Sequence, residues 1–150
     1  MKLPIKLLFI GFVIGVLGSS CATVSNTSRP PVSVFEKSRR VFGPERAILA
    51  WIPSSGAVAD RTFSSLSAAA QLPIARDLAR TLSMAENGTL SVAAAGPSSS
   101  KTRQVIIGAL SLQQAQLPGL RFLFIGDVAD RDAVRAAVEE RGGQFFFEPY

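Results

Sequence analysis

From residue 47 onward, short apolar runs alternate with segments of helical spacing. Runs of roughly four to eight apolar residues between turn residues are typical of buried strands. Four such runs are bounded by glycine, proline or asparagine: RAILAWI before Pro53, TLSVAAAG after Asn87-Gly88, LRFLFIG after Pro118-Gly119 and QFFF after Gly142-Gly143. The pattern therefore predicts four strands.

The first clear helical segment lies between the first two runs. Ile74, Leu78 and Leu82 recur every four residues, which places them on one face of a helix. A small-residue segment over 62–71 precedes them, and Pro73 is expected to kink or divide the two parts because it lacks an N–H donor.

Two further helical segments follow the second and third runs. Apolar residues recur at helical spacing over 102–116 and over 132–141. Asp130 is placed to cap the last of these helices at its start, and Gly142 to end it.

This alternation predicts an α/β fold: one small domain of about four strands and three or four helices, with a mostly parallel sheet. A mixed sheet, with QFFF antiparallel at an edge, fits the pattern equally well. The FLFI run is apolar at successive positions, which predicts a strand buried on both faces. In QFFF, an edge position would expose at least one phenylalanine, whereas covered faces would bury all three.

The first twenty residues have the three-part layout of a secretory signal. Two lysines precede an uncharged apolar run over 7–17, and small residues follow at 18–20. Fourteen uncharged residues separate Lys6 from Cys21, fewer than the roughly twenty that a membrane-spanning helix needs. The segment is therefore interpreted as an export signal.

The string LGSSC at 17–21 resembles the lipobox of bacterial lipoproteins. The pattern favours leucine three residues before the cysteine, where this chain has Gly18. The resemblance implies that the Cys21 thiol carries a diacylglyceryl group, that the signal peptide 1–20 is cleaved, and that the new amino end is acylated, for example with palmitate. The alternative is an ordinary signal peptide that ends near Ala22, with an incidental cysteine.

The residue after Cys21 is Ala22 rather than aspartate. In this respect the chain resembles lipoproteins that are carried to the outer membrane of Gram-negative bacteria. The resemblance therefore implies a protein of the cell envelope, anchored by lipid in the outer membrane and facing the periplasm. Several acyl chains would give a durable anchor, since each buried methylene contributes about 0.8 kcal/mol.

Residues 21–46 are interpreted as the lipidated cysteine and a basic tether rich in serine and proline. Residues 22–46 carry five basic and two acidic side chains, a net charge of +3, and Pro30 and Pro31 would stiffen them. The basic residues could contact lipid phosphates. The alternatives are a solvated spacer, or a segment Val32 to Phe42 that becomes ordered on a partner.

Residues 47–150 are interpreted as the periplasmic α/β domain. This part carries nine basic and nine acidic residues, so the chain's pI of 10.1 comes from the signal and the tether. A neutral domain gives no reason to expect a nucleic-acid partner.

Residue types that are missing limit the chemistry. The chain has no histidine, and its one cysteine is the predicted lipidation site. Histidine bases, thiolate nucleophiles, serine-histidine-aspartate triads and the common zinc sites all need these residue types. We therefore expect a protein that is not an enzyme and that needs no cofactor.

The loop GPSSSKT, after the second predicted strand, is the main candidate for ligand binding. It resembles the phosphate loop G-x-x-x-x-G-K-[ST] only at its end, because Ala95 and Ser100 occupy the glycine positions. A helix amino end beside a lysine could still hold an anion. The alternative is that Ser98 or Ser99 caps the helix and the lysine is solvated. The candidate anion- or ligand-binding residues are Ser98, Ser99, Lys101, Thr102 and Asp127.

Aspartates cluster in the loop after the third predicted strand. Asp127, Asp130 and Asp132 do not have the spacing of a calcium loop, and no glutamate closes it. Acidic residues in the first turn of a helix are explained by capping and the helix dipole. No metal site is therefore predicted.

The segment RFLFIGDVADRDAVRAAVEERGG, over 121–143, resembles half of a sporulation-related repeat (SPOR) domain. That half consists of a strand, a GxxxD turn and a helix that ends in glycine. The resemblance implies binding of peptidoglycan glycan. The preceding segment lacks the matching strand aromatic, so only half of the domain is matched.

Two functions are compatible with these features. The first is a non-catalytic assembly module that binds envelope proteins, in layout like the small lipoproteins of conjugation and secretion machines. The alternative is a lipoprotein that binds a small ligand or peptidoglycan glycan through the loops near Lys101 and Asp127.

Overall fold

The computed structural model describes residues 29–44, 46–54 and 66–150. The predicted signal peptide, Cys21 and residues 55–65 lie outside the described residues. The described elements are, in chain order, α1 (Val32–Phe42), β1 (Ile48–Trp51), α2 (Leu66–Gln71), α3 (Pro73–Leu82), a 3-10 turn (Ser83–Glu86), β2 (Leu90–Ala95), α4 (Ser99–Ser111), β3 (Leu120–Gly126), α5 (Val128–Glu140) and β4 (Gln144–Pro149). The α/β fold is therefore confirmed.

The four strands form one parallel sheet in the order β1-β2-β3-β4. Strand β4 pairs with β3 in parallel register, Phe122 opposite Phe145, so the alternative of a mixed sheet is wrong. Strand order follows chain order, and each crossover therefore returns on the same side of the sheet. Within the described residues, the order never reverses.

The larger core lies on the side of the crossover helices. Val92 and Ala94 of β2 and Phe122 and Phe124 of β3 are fully buried beneath α3, α4 and α5. The periodic residues predicted for α3 face this core, and the chain divides at Leu72, just before Pro73, as predicted. Pro73 is tolerated because the first turn of a helix leaves its N–H groups without partners in any case.

The second face of the sheet is covered by α1. Val34, Ser38 and Phe42 recur every four residues and are buried, and Val34 and Phe42 form a second core with β2 and β3. The eleven residues of α1 lie in the segment that was interpreted from the sequence as a tether. That interpretation is wrong for α1, and the domain therefore includes residues from Val32 rather than beginning at Ala47.

Strand β4 forms one edge of the sheet and holds α1 in place. The Phe42 ring packs edge-to-face on Phe146 at 5.7 Å between centroids, and Arg40 Nη1 lies 3.3 Å from Glu148 Oε2. Lys37 Nζ donates to the carbonyl oxygen of Pro149. The three phenylalanines of β4 are each half-buried. This lies between the two expectations, that one of them would be exposed or that all three would be fully buried.

The last two long helices differ from prediction at their ends. Helix α4 ends at Ser111 rather than near residue 116, and the Gln113 side chain turns inward, where its Nε2 donates to Ala79 O at 2.7 Å. Helix α5 ends at Glu140, and Gly142 terminates it as predicted, with a φ of 76°. The N–H of Gly142 donates to Glu139 O, and the next N–H donates to the carbonyl of residue 138, which is a Schellman motif.

No helix within the described ranges is long and apolar enough to cross a lipid bilayer.

Candidate functional site at the carboxyl ends of the strands

The predicted site residues are brought to the edge of the sheet where the strands end. Helix α4 begins just beyond β2, and Asp127 follows β3 directly. The two loops touch, because the N–H of Asp127 donates to Ser99 Oγ at 2.8 Å. The structure thus places Ser98, Ser99, Lys101, Thr102 and Asp127 in one region.

Ser98 caps α4, as predicted. Its side-chain oxygen accepts from the N–H of Lys101 at 3.3 Å, and its carbonyl oxygen accepts from Thr102 Oγ1 at 2.8 Å. Thr102 is fully buried. The cap therefore satisfies one of the free N–H groups at the start of the helix.

Lys101 is not solvated, contrary to the alternative given by sequence analysis. Its residue surface is only 5% exposed, and Nζ donates to Pro53 O at 2.7 Å. The ammonium group therefore connects the first turn of α4 to the end of β1. The sequence alone does not predict this contact, since it joins residues 48 positions apart.

A buried carboxylate joins α4 to α5. Asp130 Oδ2 accepts from Ser99 Oγ at 2.6 Å, and Asp130 Oδ1 lies 2.7 Å from Arg103 Nη1. Asp130 does not cap α5, because the helix begins at Val128 and Asp127 occupies the capping position without a side-chain hydrogen bond. The prediction that Asp130 caps the helix is therefore wrong: the residue lies in the first turn of the helix and faces α4.

Tyr150 closes the same edge over the end of β2. The N–H of Gly96 donates to Tyr150 Oη at 2.9 Å, and the hydroxyl donates to Gly96 O. Tyr150 is 54% exposed as a whole residue, but partial burial of its hydroxyl raises the pKa of the phenol above its usual range; Asp127 adds to this, whereas the hydrogen bond with Gly96 acts in the opposite direction. The backbone at Gly96 is tightly enclosed, since a Cβ there would overlap Ile52 O and lie 2.6 Å from Thr102 Oγ1.

The aspartates after β3 do not converge. Asp130 is held by α4, while Asp132 is exposed and pairs with Arg131, 2.8 Å from Nε to Oδ1. This contact lowers the pKa of the Asp132 carboxyl. In the part of the chain that the structure describes, no three acidic, cysteine or histidine side chains come close enough to hold a metal ion.

These contacts form a strand-end network of five side chains: Ser99, Lys101, Arg103, Asp130 and Tyr150. In open α/β sheets, ligands bind beyond the carboxyl ends of the strands, at the point where strand order reverses. This sheet has no reversal among its described strands. At the carboxyl ends of those strands, the network's side chains are bonded to other groups of the same chain. The hydrogen bonds of the strand-end network connect loops and helices of the domain to one another.

An open groove lies elsewhere, along β1. It has a volume of about 210 Å³ and lies between β1 and the side chains of Ile74, Leu78 and Thr81 on α3, with Asp77 at its rim. Ile48 is 40% exposed there. The RAILAWI run alone does not predict this groove, because it does not show which side of β1 is left without a paired strand among the described residues.

Comparison with known protein families, with curated proteins and with solved structures yields no match.

Replacing Lys101 with methionine is expected to lower the free energy of unfolding by about 2 kcal/mol, because a buried hydrogen bond from a charged donor is lost and Pro53 O loses that donor. Urea unfolding measures the change. Arg76→Met, on the exposed side of α3, is the control and should stay within about 0.5 kcal/mol of wild type.

The same variant tests the predicted anion site. Phosphate that stabilises the wild-type protein but not Lys101→Met would contradict a purely structural role for this lysine. Anion binding at the five candidate residues stays a prediction until that titration is made.

Tyr150→Phe is expected to lower the free energy of unfolding by about 1 kcal/mol near neutral pH, because Gly96 loses its hydroxyl partner. The raised pKa means that the folded protein holds the phenol proton more tightly than the unfolded chain does. This contribution is complete below the usual tyrosine pKa and is lost as pH rises through the raised value.

Wild type should therefore lose more stability than Tyr150→Phe as the pH rises above about 10. Urea unfolding at several alkaline pH values measures the difference between the two proteins. Tyr150 is the only tyrosine, so the ultraviolet absorbance of the phenolate follows this one group. An unshifted phenolate titration in the folded protein would contradict the partial burial of the hydroxyl.

Proposed function

We propose that this protein is a lipid-anchored outer-membrane protein whose periplasmic α/β domain is a non-catalytic assembly module for envelope proteins. An accessory role in a secretion or conjugation machine fits this layout. The anchor rests on the LGSSC string at 17–21, which lies outside the described residues. The binding role rests on the arrangement of the sheet.

The observation that carries the proposal is the contrast between the closed strand ends and the open β1 edge. Ser99, Lys101 and Asp130 are buried and bonded within the chain at the position where α/β enzymes hold their ligands. A site in use for a small ligand would leave polar groups directed into a cavity. The strand-end network supports a structural role for these side chains.

The β1 groove supports a macromolecular partner. Its volume of about 210 Å³ is below the range of roughly 300–1,000 Å³ that is usual for small-molecule sites. The outer side of β1 has no paired strand among the described residues. An edge strand of this kind offers backbone donors and acceptors to an added strand, and the apolar groove beside it can take alternate side chains.

A photo-crosslinking residue at position 48 tests the binding role in intact cells. Ile48 lies in the groove, whereas Met84 is an exposed apolar residue on the 3-10 turn, outside the groove lining, and serves as the matched control. We expect a discrete adduct with an envelope protein from position 48 and none from position 84. Equal adducts from both positions, or adducts with cell-wall glycan alone, would overturn the assembly role, and the latter would favour the glycan-binding alternative.

The anchor is tested separately by labelling with radioactive palmitate. Wild type should incorporate the label and Cys21→Ser should not, because the thiol is the predicted attachment point. Equal labelling of the two proteins, or none in either, would show that the string does not act as a lipobox.

A further inference from the structure

Helix α1 presents an exposed apolar stripe to solvent, to one side of its buried face. Val32 is 72% exposed and Phe35 is 48% exposed, although both are large apolar residues. At 100° per residue, positions 32, 35 and 39 lie within roughly 60° of one another on the helix surface. Arg39 therefore extends the stripe with an exposed cationic group.

Not all of the basic side chains around this stripe are paired with residues of the sheet. Helix α1 has three basic side chains and one acidic, Glu36, a net charge of +2. Lys37 and Arg40 contact β4, but Arg39 has no ion pair with any residue that the structure describes. Two more exposed arginines, at positions 29 and 46, flank the helix.

The stripe lies close in sequence to the proposed anchor. Ten residues, 22–31, separate Cys21 from the start of α1, and a fully extended chain of that length spans at most about 35 Å. A domain of this size has a radius of gyration of roughly 13 Å. The anchor would therefore keep α1 within about one domain diameter of the bilayer.

We propose that the exposed stripe of α1, formed by Val32, Phe35 and Arg39, lies on the anionic phospholipid surface in which the chain is anchored. Val32 and Phe35 enter the boundary between headgroups and acyl chains, and Arg39 contacts lipid phosphates. A helix with an apolar stripe and cationic neighbours is suited to this position, and each basic residue near an anionic surface contributes about 1 kcal/mol. This inference rests on the lipid anchor of the proposed function and adds the orientation of the domain.

Fluorescence quenching by nitroxide-labelled lipids tests the contact. The lipidated mature protein is reconstituted in vesicles of phosphatidylethanolamine and phosphatidylglycerol. Cys21 is the only native cysteine and would be blocked by lipid, so an introduced cysteine takes the fluorophore alone. Val32→Cys probes the stripe while leaving Phe35 in place, and Met84→Cys is the exposed control on the opposite side of the sheet.

We expect several-fold stronger quenching at position 32 than at position 84. Removing the charge with Arg39→Gln, or omitting the anionic lipid, should weaken quenching at position 32. Equal, weak quenching at both positions in vesicle-bound protein would overturn the orientation and leave the anchor intact. Protein that does not remain with the vesicles would overturn the anchor and this inference together, and quenching that does not depend on lipid charge would overturn the role of Arg39.

Discussion

Replacing Phe42 with alanine is expected to lower the free energy of unfolding by about 3–4 kcal/mol, because a large buried ring is removed and a cavity remains. The ring is 4% exposed, packs edge-to-face on Phe146, and lies under the Arg121 guanidinium, 5.3 Å from its carbon to the ring centroid. These contacts hold the only described helix on the second face of the sheet.

Phe35→Ala is the matched control, since the same residue type lies on the same helix but is half exposed. It should change the free energy of unfolding by less than about 1 kcal/mol. Urea unfolding followed by tryptophan fluorescence measures both variants, because Trp51 lies next to the second core. Similar losses in the two variants would mean that α1 is not docked as described.

Gly96→Ala is expected to lower the free energy of unfolding by about 3 kcal/mol, because overpacking forces backbone to move. The added methyl group would overlap Ile52 O, which is backbone and cannot rotate away, and would crowd Thr102 Oγ1. The displacement would also disturb the hydrogen bonds between Gly96 and Tyr150. The end of β2 would then separate from the end of β1.

Gly88→Ala controls for the loss of glycine itself. A Cβ added at Gly88 would lie 4.0 Å from its nearest non-neighbouring atom, Met84 O, so the methyl group has room. This variant should be neutral or stabilising by up to about 1 kcal/mol, since alanine reduces the entropy of the unfolded chain. Thermal unfolding of the two variants and wild type gives the comparison, and a Gly96→Ala protein as stable as Gly88→Ala would contradict the close approach of β1.

The strands were predictable because their signals are local. Each is a short apolar run closed by glycine, proline or asparagine, and β2 and β3 are apolar at successive positions. Burial on both faces depends on two covering layers. The alternating helical segments supply only one layer, so the chain before residue 47 was the remaining source of the second.

Helix α1 was not predicted as part of the domain, because its composition is that of a linker. Pro30 and Pro31 precede it, its buried stripe is interrupted by Ser38, and most of its other side chains are charged or small. Pro31 lies just before the first helical residue, where a missing N–H does no harm. The spacing of Val34 and Phe42 was a signal, but two apolar positions do not decide between a helix and a spacer.

The strand-end network could be predicted only in part. Ser98 was identified as a cap from its position before a helix, which is a local rule. The partners of Lys101 and Asp130 depend on contacts between residues 27 to 48 positions apart, and nothing local distinguishes a buried lysine from a solvated one. The order of the strands, which the alternation leaves open, determines those partners.

The contacts between α1 and β4 also bear on the order of folding. Arg40 and Glu148 are 108 residues apart, and Lys37 and Pro149 are 112 apart. Contacts so distant in sequence form late, since they need a large loop to close. We therefore expect the first helix to dock fully only after the last strand has formed, so that Ala93, Leu123 and Ile125 stay open to water, and to chaperones, until the whole chain is present.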